Sequence, residues 1–263
     1  MTLEELFQHA EPQQLHEHIV SQLKDKPGDL SLRSLFVQVL CLEGEWERAL
    51  KQTDALMKLH PETAIFCCTT TELIHAEQLR EHIFAGNGQP LFFGPPEPWI
   101  SPMLKALPLY AKGQTALATA LSRQALDAMP EMPANINGDT HVPWILDGDA
   151  RLGGVLEIMM RDHYYWLELS KISSLQLAQP SHPIEVCWMQ ARLTMRTGEI
   201  HTVRMPSRYP FATPHQEEEP ALLMAKETSW EETTDSLWLG QGLRGWATPE
   251  TVIPMMNIRQ MQL

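Results

Sequence analysis

Three acidic residues lie close together in the second half of the chain, Asp147, Asp149 and Glu157, and their type and spacing come nearest to catalytic chemistry. They sit in DGDARLGGVLEI, where two carboxylates in a Gly-rich turn could hold a cation or polarise a water. A metal-dependent hydrolase or nucleotide-handling enzyme using these three acids is the enzymatic reading. The structural reading is an Asp that ties the turn and pairs with Arg151 on the way into a strand. A calcium loop needs more oxygen ligands at regular spacing than this stretch supplies, so the spacing favours structure over metal.

The remaining motifs are weaker. Gly240, Gly242 and Gly245 spell G-x-G-x-x-G, but without a preceding βαβ unit they predict a tight turn or bulge between Trp238 and Trp246. His16 and His18 are two apart on an expected helix and face different ways, unlike an i, i+4 ligand pair. No G-x-S-x-G, no P-loop and no catalytic cysteine signature occurs. Cys41, Cys67, Cys68 and Cys187 form neither a CxxC pair nor a disulfide framework, and are expected to be reduced thiols. No catalytic residue, metal ligand or cofactor is therefore assigned.

The elements that must position these residues fall into two classes, and the chain reads as α+β. In the first half, apolar residues recur at helical spacing at Leu3, Leu6, Phe7 and Ala10, then at Leu15, Ile19 and Leu23. A helical hairpin follows, broken at Gly44 and stopped by Pro61. Pro27, Pro61, Pro95 and Pro130 recur at roughly the 34-residue tetratricopeptide length. Gly44 and Gly113 stand equally far before their prolines, as do Ala49 and Ala118. This predicts a tetratricopeptide-like helical-repeat domain over residues 1–138, weakest at LFFGPPEPWISP.

Beyond it, residues 139–263 alternate like strands and predict a small β-rich domain, barrel- or sandwich-like. VLEIMM and YYWLEL read as a hairpin, and ARLTMRTGEIHTVRMP as another about Thr197-Gly198. KISSLQL, ALLMAKETSW and TVIPMMNIRQM are further strand candidates. Glu217, Glu218 and Glu219 read as a solvated loop.

Thirty-three acidic against 20 basic residues leave a net charge of −13, shared by both halves. That sign repels phosphate backbones and anionic lipid, which excludes nucleic acid and membrane surfaces as partners. The start has neither a basic nor an apolar leader region, and no stretch is long and apolar enough to insert in a membrane, so a cytoplasmic location is expected.

An ordered series of phrases then carries a family resemblance: DGDARLGGVLEI, YYWLELSKI, W-x-x-A at Trp188 to Ala191, MPSRYP and WLGQGLRGW, with LEGEWERAL in the first half. In this order the chain resembles the ImpE family, also called SciE or TagJ, of type VI secretion accessory proteins. The resemblance implies a repeat-like helical domain before a β-rich one, and a non-enzymatic accessory or adaptor role. It also implies association with the small sheath subunit, through that subunit's N-terminal helix, and with the ClpV-type ATPase that disassembles contracted sheath. The chain departs from the family pattern at Pro183-Ile184-Glu185-Val186-Cys187, where a charged segment is common.

On this reading Leu32, Phe36, Leu40 and Trp46, selected by periodicity, line a groove that takes up an amphipathic helix rich in Lys or Arg. Tyr164, Tyr165, Arg208 and Tyr209 are candidates for a second recognition surface in the β-rich half. Nothing in the residues fixes whether the protein also self-associates.

Overall fold

The computed structural model describes residues 12–211 and 219–263. The expected helix about Leu3, Leu6, Phe7 and Ala10 lies outside the described residues, as do Glu217 and Glu218. Helix α1 (Pro12–Asp25) opens on a proline, whose fixed φ suits the first helical position, and it buries Leu15 and Ile19. Helix α2 (Leu30–Leu42) is capped by Asp29, which accepts a hydrogen bond from the Leu32 N–H at 2.9 Å. Gly44 takes a φ of +68°, a conformation open to glycine at little cost, and the chain reverses into α3 (Trp46–Leu59). Ala49 is fully buried in this hairpin.

Helices α5 (Ile100–Ala111) and α6 (Thr115–Ala128) repeat the arrangement, with Gly113 also at +68° and Ala118 fully buried. Between the hairpins the repeat fails. The interval from Pro61 to Pro95 holds one long helix, α4 (Ala64–Phe84), because no Gly or Pro interrupts its 21 residues.

After α4 comes β1 (Leu91–Phe92), inside LFFGPPEPWISP, and then the remaining strands: β2 (Ala134–Ile136), β3 (Thr140–Val142), β4 (Leu146–Asp147), β5 (Val155–Met160), β6 (His163–Glu168), β7 (Ile172–Leu177), β8 (Trp188–Met195), β9 (Ile200–Pro206), β10 (Thr228–Glu232), β11 (Trp238–Gly242), β12 (Gly245–Ala247), β13 (Val252–Pro254) and β14 (Gln260–Gln262). Short helices α7 (Pro183–Cys187) and α8 (Pro220–Leu223) lie among them. Nine strands form one sheet in the order β1-β6-β5-β9-β8-β7-β14-β2-β3; a β13-β12-β4 sheet and a β10-β11 ribbon flank it. Among the described residues only β1 joins the large sheet in parallel, with Leu91 opposite Tyr165.

The fold is thus α+β, helices first and strands after. The barrel-like form expected for the strands is corrected: the large sheet is open, ending at β1 and β3. Both expected hairpins are present, with Met160 opposite His163 and Thr194 opposite Ile200 at their tips. The ALLMAKETSW strand is corrected too, because its first part is α8, whose Leu222 and Leu223 are buried, and only Thr228 onward pairs. TVIPMMNIRQM divides into β13 and β14 across a helical turn, Met255–Asn257.

Residue 138 stands at the turn of the β2-β3 hairpin, where Asn137 and Gly138 take φ of +55° and +88°. Strands β1 and β2, from before that point, pair with strands from after it. One apolar core runs without a break from Leu15 and Ile19 through Trp99 and Leu107 to Trp188 and Met261. Among the described residues no helix is long and apolar enough to cross a membrane.

Candidate functional site

Where α4 lies on the large sheet, charged residues occupy positions that its packing makes internal. Glu77 and Arg80 fall in the same helical phase as Leu73 and Phe84, and Glu157 sits mid-strand in β5 between Leu156 and Ile158. Arg80 grips the Glu157 carboxylate with two N–H groups at 2.6 and 3.1 Å, and donates to Glu77 at 2.8 Å and to the Arg208 carbonyl at 2.9 Å. Arg244 pairs with Glu157 from the other side at 3.0 Å and reaches Asp147 at 2.6 Å. Tyr164 donates to Glu157 at 2.5 Å and Tyr209 to Asp147 at 2.9 Å.

Burial pushes the Glu157 carboxyl up, but the Arg80 and Arg244 guanidiniums outweigh it and hold the group below its ordinary value. At Asp147 burial is the larger influence and carries the carboxyl up to about 6, with Arg244 pulling the other way.

These contacts engage the three acids of the enzymatic reading. Asp149 is fully buried; it accepts from Arg151 at 2.5 Å and from the Gly240 N–H at 2.8 Å. The expected pairing of an Asp with Arg151 is therefore made by Asp149, while Asp147 takes Arg244 instead. Carboxylates already bound by guanidiniums, a phenol and backbone N–H groups have few lone pairs to offer a cation. Among the described residues no group of three or more His, Cys, Asp or Glu is placed to hold a metal ion. Gly240 has a packing role: a Cβ there would lie 2.3 Å from the Tyr209 ring.

The residues expected to line a partner groove are placed differently from one another. Leu32, Phe36, Leu40 and Trp46 are all buried. Trp46 stacks on Trp188 at 5.9 Å and donates to Glu81 at 2.9 Å, so it ties helices to sheet. Tyr164 and Tyr209 are buried in the charge network. Arg208 is buried as well, donating to the carbonyls of Leu42 and Leu223. Tyr165 alone of the eight is half-buried, against Phe93 at 5.2 Å.

An open groove lies at the seam of the two halves. It is a cleft of about 420 Å³ between the first turns of α4, helix α7 and strands β8 and β9. It is lined by Ile65, Phe66 and Leu73 of α4, Ile184 of α7, Trp188 of β8 and Arg204 of β9. Ile65 is 85% exposed, the most exposed of the large hydrophobic side chains described. Its rim carries Glu62, and Glu185 lies 3.9 Å from Arg204.

Comparison with known proteins places this architecture. The family model described as ImpE protein matches residues 139–262. A curated relative from Pseudomonas aeruginosa, the type VI secretion system accessory component TagJ, is 33% identical over 230 residues, spanning 88% of this chain and 81% of the relative. The chain belongs to the ImpE family. A crystal structure of protein VPA1032 from Vibrio parahaemolyticus has the same fold, with a TM-score of 0.88 at 24% identity over 100% of this chain and 97% of that one.

Sequence reasoning found the acids of this ImpE chain and missed most of their partners. Arg80 and Glu77 had a signal, since two charges in the apolar phase of LIHAEQLREHIF must be internal and paired. Arg244 had none, because it comes to Asp147 through tertiary packing of a loop 97 residues away. Ile65 follows the same rule in reverse: an apolar residue outside the buried phase of α4 marks an unpartnered face.

Proposed function

We propose that this protein is a non-enzymatic adaptor of type VI secretion, acting in the cytoplasm, whose seam groove takes up an amphipathic helix from the small sheath subunit. The observation that carries this reading is the groove itself: an apolar cleft open to solvent, with Ile65 on its wall and acidic residues on its rim. Its length along α4 suits a helix laid in a groove and anchored at i, i+3 and i+7. The net charge of −13 favours a helix that carries Lys or Arg on its outer face. Family membership supplies the system, and the engagement of Asp147, Asp149 and Glu157 by Arg side chains leaves the enzymatic alternative without free carboxylates. On this reading the adaptor also binds the ClpV-type ATPase, through a different face, and so links it to sheath.

The test is calorimetric titration of the whole protein with the synthetic N-terminal helix of its cognate small sheath subunit. Saturable binding is expected in the wild type. Ile65→Asp should weaken it by at least about tenfold, since burying one isoleucine contributes about 1.5–3 kcal/mol. No binding by the wild type would end the sheath-helix reading, and undiminished binding by Ile65→Asp would move the site away from this groove.

A further inference from the structure

A second cleft lies where α6 meets the β-rich half and shares no lining residue with the seam groove. It has a volume of about 400 Å³ and opens between helix α6, the backbone of Gly148 to Ala150, and the turn that leads into β11. Trp144 and Trp238 stand among its walls, with Arg123 and Asp127 contributed by α6. Trp238 is 41% exposed, unusual for so large an apolar side chain. Six of the eight tryptophans lie in this half, yet Trp166, Trp188 and Trp246 are fully inside.

Trp238 is held out by its backbone. Asp235 and Ser236 take φ of +60° and +54°, a left-handed pair without glycine, and that turn sets the entry into β11. The turn is fastened on three sides. Arg123 donates to the Asp235 carbonyl at 2.6 Å, the Ala150 N–H donates to the Trp238 carbonyl at 2.8 Å, and the Thr233 N–H donates to the Leu237 carbonyl at 2.7 Å. The wall that carries Trp238 is therefore set before any ligand arrives, which lowers the ordering cost of binding.

The charges around the cleft are mostly of one sign. Glu232 lies directly opposite Trp238 in the β10-β11 ladder, so both side chains leave the same face of the ribbon about 5 Å apart. Asp127 is on the α6 wall, and the exposed Asp235 stands in the turn beside the lining residue Ser236. Arg123, the cation among the lining residues, donates to the neutral Asp235 carbonyl and keeps its charge, against the carboxylates of Asp127, Glu232 and Asp235. Indole faces attract cations through their quadrupole, and carboxylates beside them select for charge over bulk.

We propose that the Trp144–Trp238 cleft is a docking site for a lysine or arginine side chain presented on an extended segment of a protein partner. Two indole walls and the Glu232 and Asp127 carboxylates fit a guanidinium or ammonium group on a long aliphatic stem. The same acidic margin repels nucleic acid and other anions.

The experiment uses the whole protein, labelled at its indole nitrogens, and a short glycine-serine peptide with one central arginine. Binding is followed by the indole N–H resonances, assigned by substitution of Trp144 and Trp238 in turn. The arginine peptide should produce saturable shifts confined to those two indoles, and the same peptide with citrulline should bind about tenfold more weakly. Trp238→Ala should lose about tenfold in affinity and Glu232→Gln a smaller factor, each with an unchanged melting temperature. Ile65→Asp should leave this binding intact, which separates the cleft from the seam groove. Equal binding of the citrulline peptide, undiminished binding by Trp238→Ala, or no saturation by about 10 mM would each overturn the proposal.

Discussion

Where helices meet sheet, the charged side chains of this protein face one another; in the two surface clefts they face water. Glu157 has Arg80, Arg244 and Tyr164 within bonding distance, all of them buried. Ile65 and Trp238 project into solvent beside Glu62 and Glu232. Desolvated charges are tolerable only when paired, so the junction had to complete itself within the chain. The clefts were under no such demand, and what they leave unpartnered is available to another molecule. Acidic residues that look catalytic can thus be fully occupied within the chain, Glu157 by Arg80 across the two halves, and Asp147 and Asp149 by Arg244 and Arg151 inside the second.

The sharpest way to break this contrast is to remove one partner at the junction. Arg244→Met keeps most of the side chain's volume but leaves Asp147 without its guanidinium and Glu157 with only one. The expected cost is about 3–5 kcal/mol, read as a lower urea midpoint at unchanged slope. Adding Asp147→Asn to the same chain should recover part of that loss, since the stranded charge is gone. If Arg244→Met unfolds at the wild-type midpoint, the network does not carry the junction.

A smaller effect comes from Glu81, which borders the same network. Burial, and then the charge of Glu77, raise its carboxyl from an ordinary 4.5 to about 7, against the hydrogen bond from Trp46. The native state therefore keeps a proton that the unfolded chain has already released, and folding takes up a proton between those two values. Stability from this group is present at low pH and lost as pH rises toward and through about 7. Glu81→Gln keeps an acceptor for Trp46 and removes the titration. Its stability relative to wild type should rise by roughly 1–3 kcal/mol between about pH 5 and pH 8, measured by urea unfolding at each pH. A difference that stays flat across this range would place the proton elsewhere.

How far the sequence reached follows from the same physics. The α2-α3 hairpin was legible because Gly44, Ala49 and Pro61 each impose a local geometry, and the β5-β6 and β8-β9 hairpins because alternation and turn residues are local signals. The long helix α4 was misread as part of a repeat, since a proline interval constrains its ends and says nothing about its middle. The change of texture at Asn137-Gly138 was legible, but not that strands on either side of it pair. At the site, Asp149 with Arg151 was legible as a near neighbour. Arg244 with Asp147, and Trp188 with Glu77 at 2.7 Å, depend on chain segments that only the fold brings together. Periodicity selected Leu32, Phe36, Leu40 and Trp46 as groove-lining positions, but a helix face is apolar whether it meets a partner or its own core.

The smallest expected effects belong to the clefts, and they carry as much weight as the large ones. Ile65→Ser and Trp238→Ala should each shift the unfolding free energy by less than about 0.5 kcal/mol, because neither side chain fills a buried site. Both proteins should melt with the wild type while losing affinity for their respective ligands. A cost of several kcal/mol from either one would mean that the side chain holds the fold in solution, and its cleft would then belong with the junction. A change in stability near zero, joined to lost binding, is the signature of a surface kept apolar for a partner.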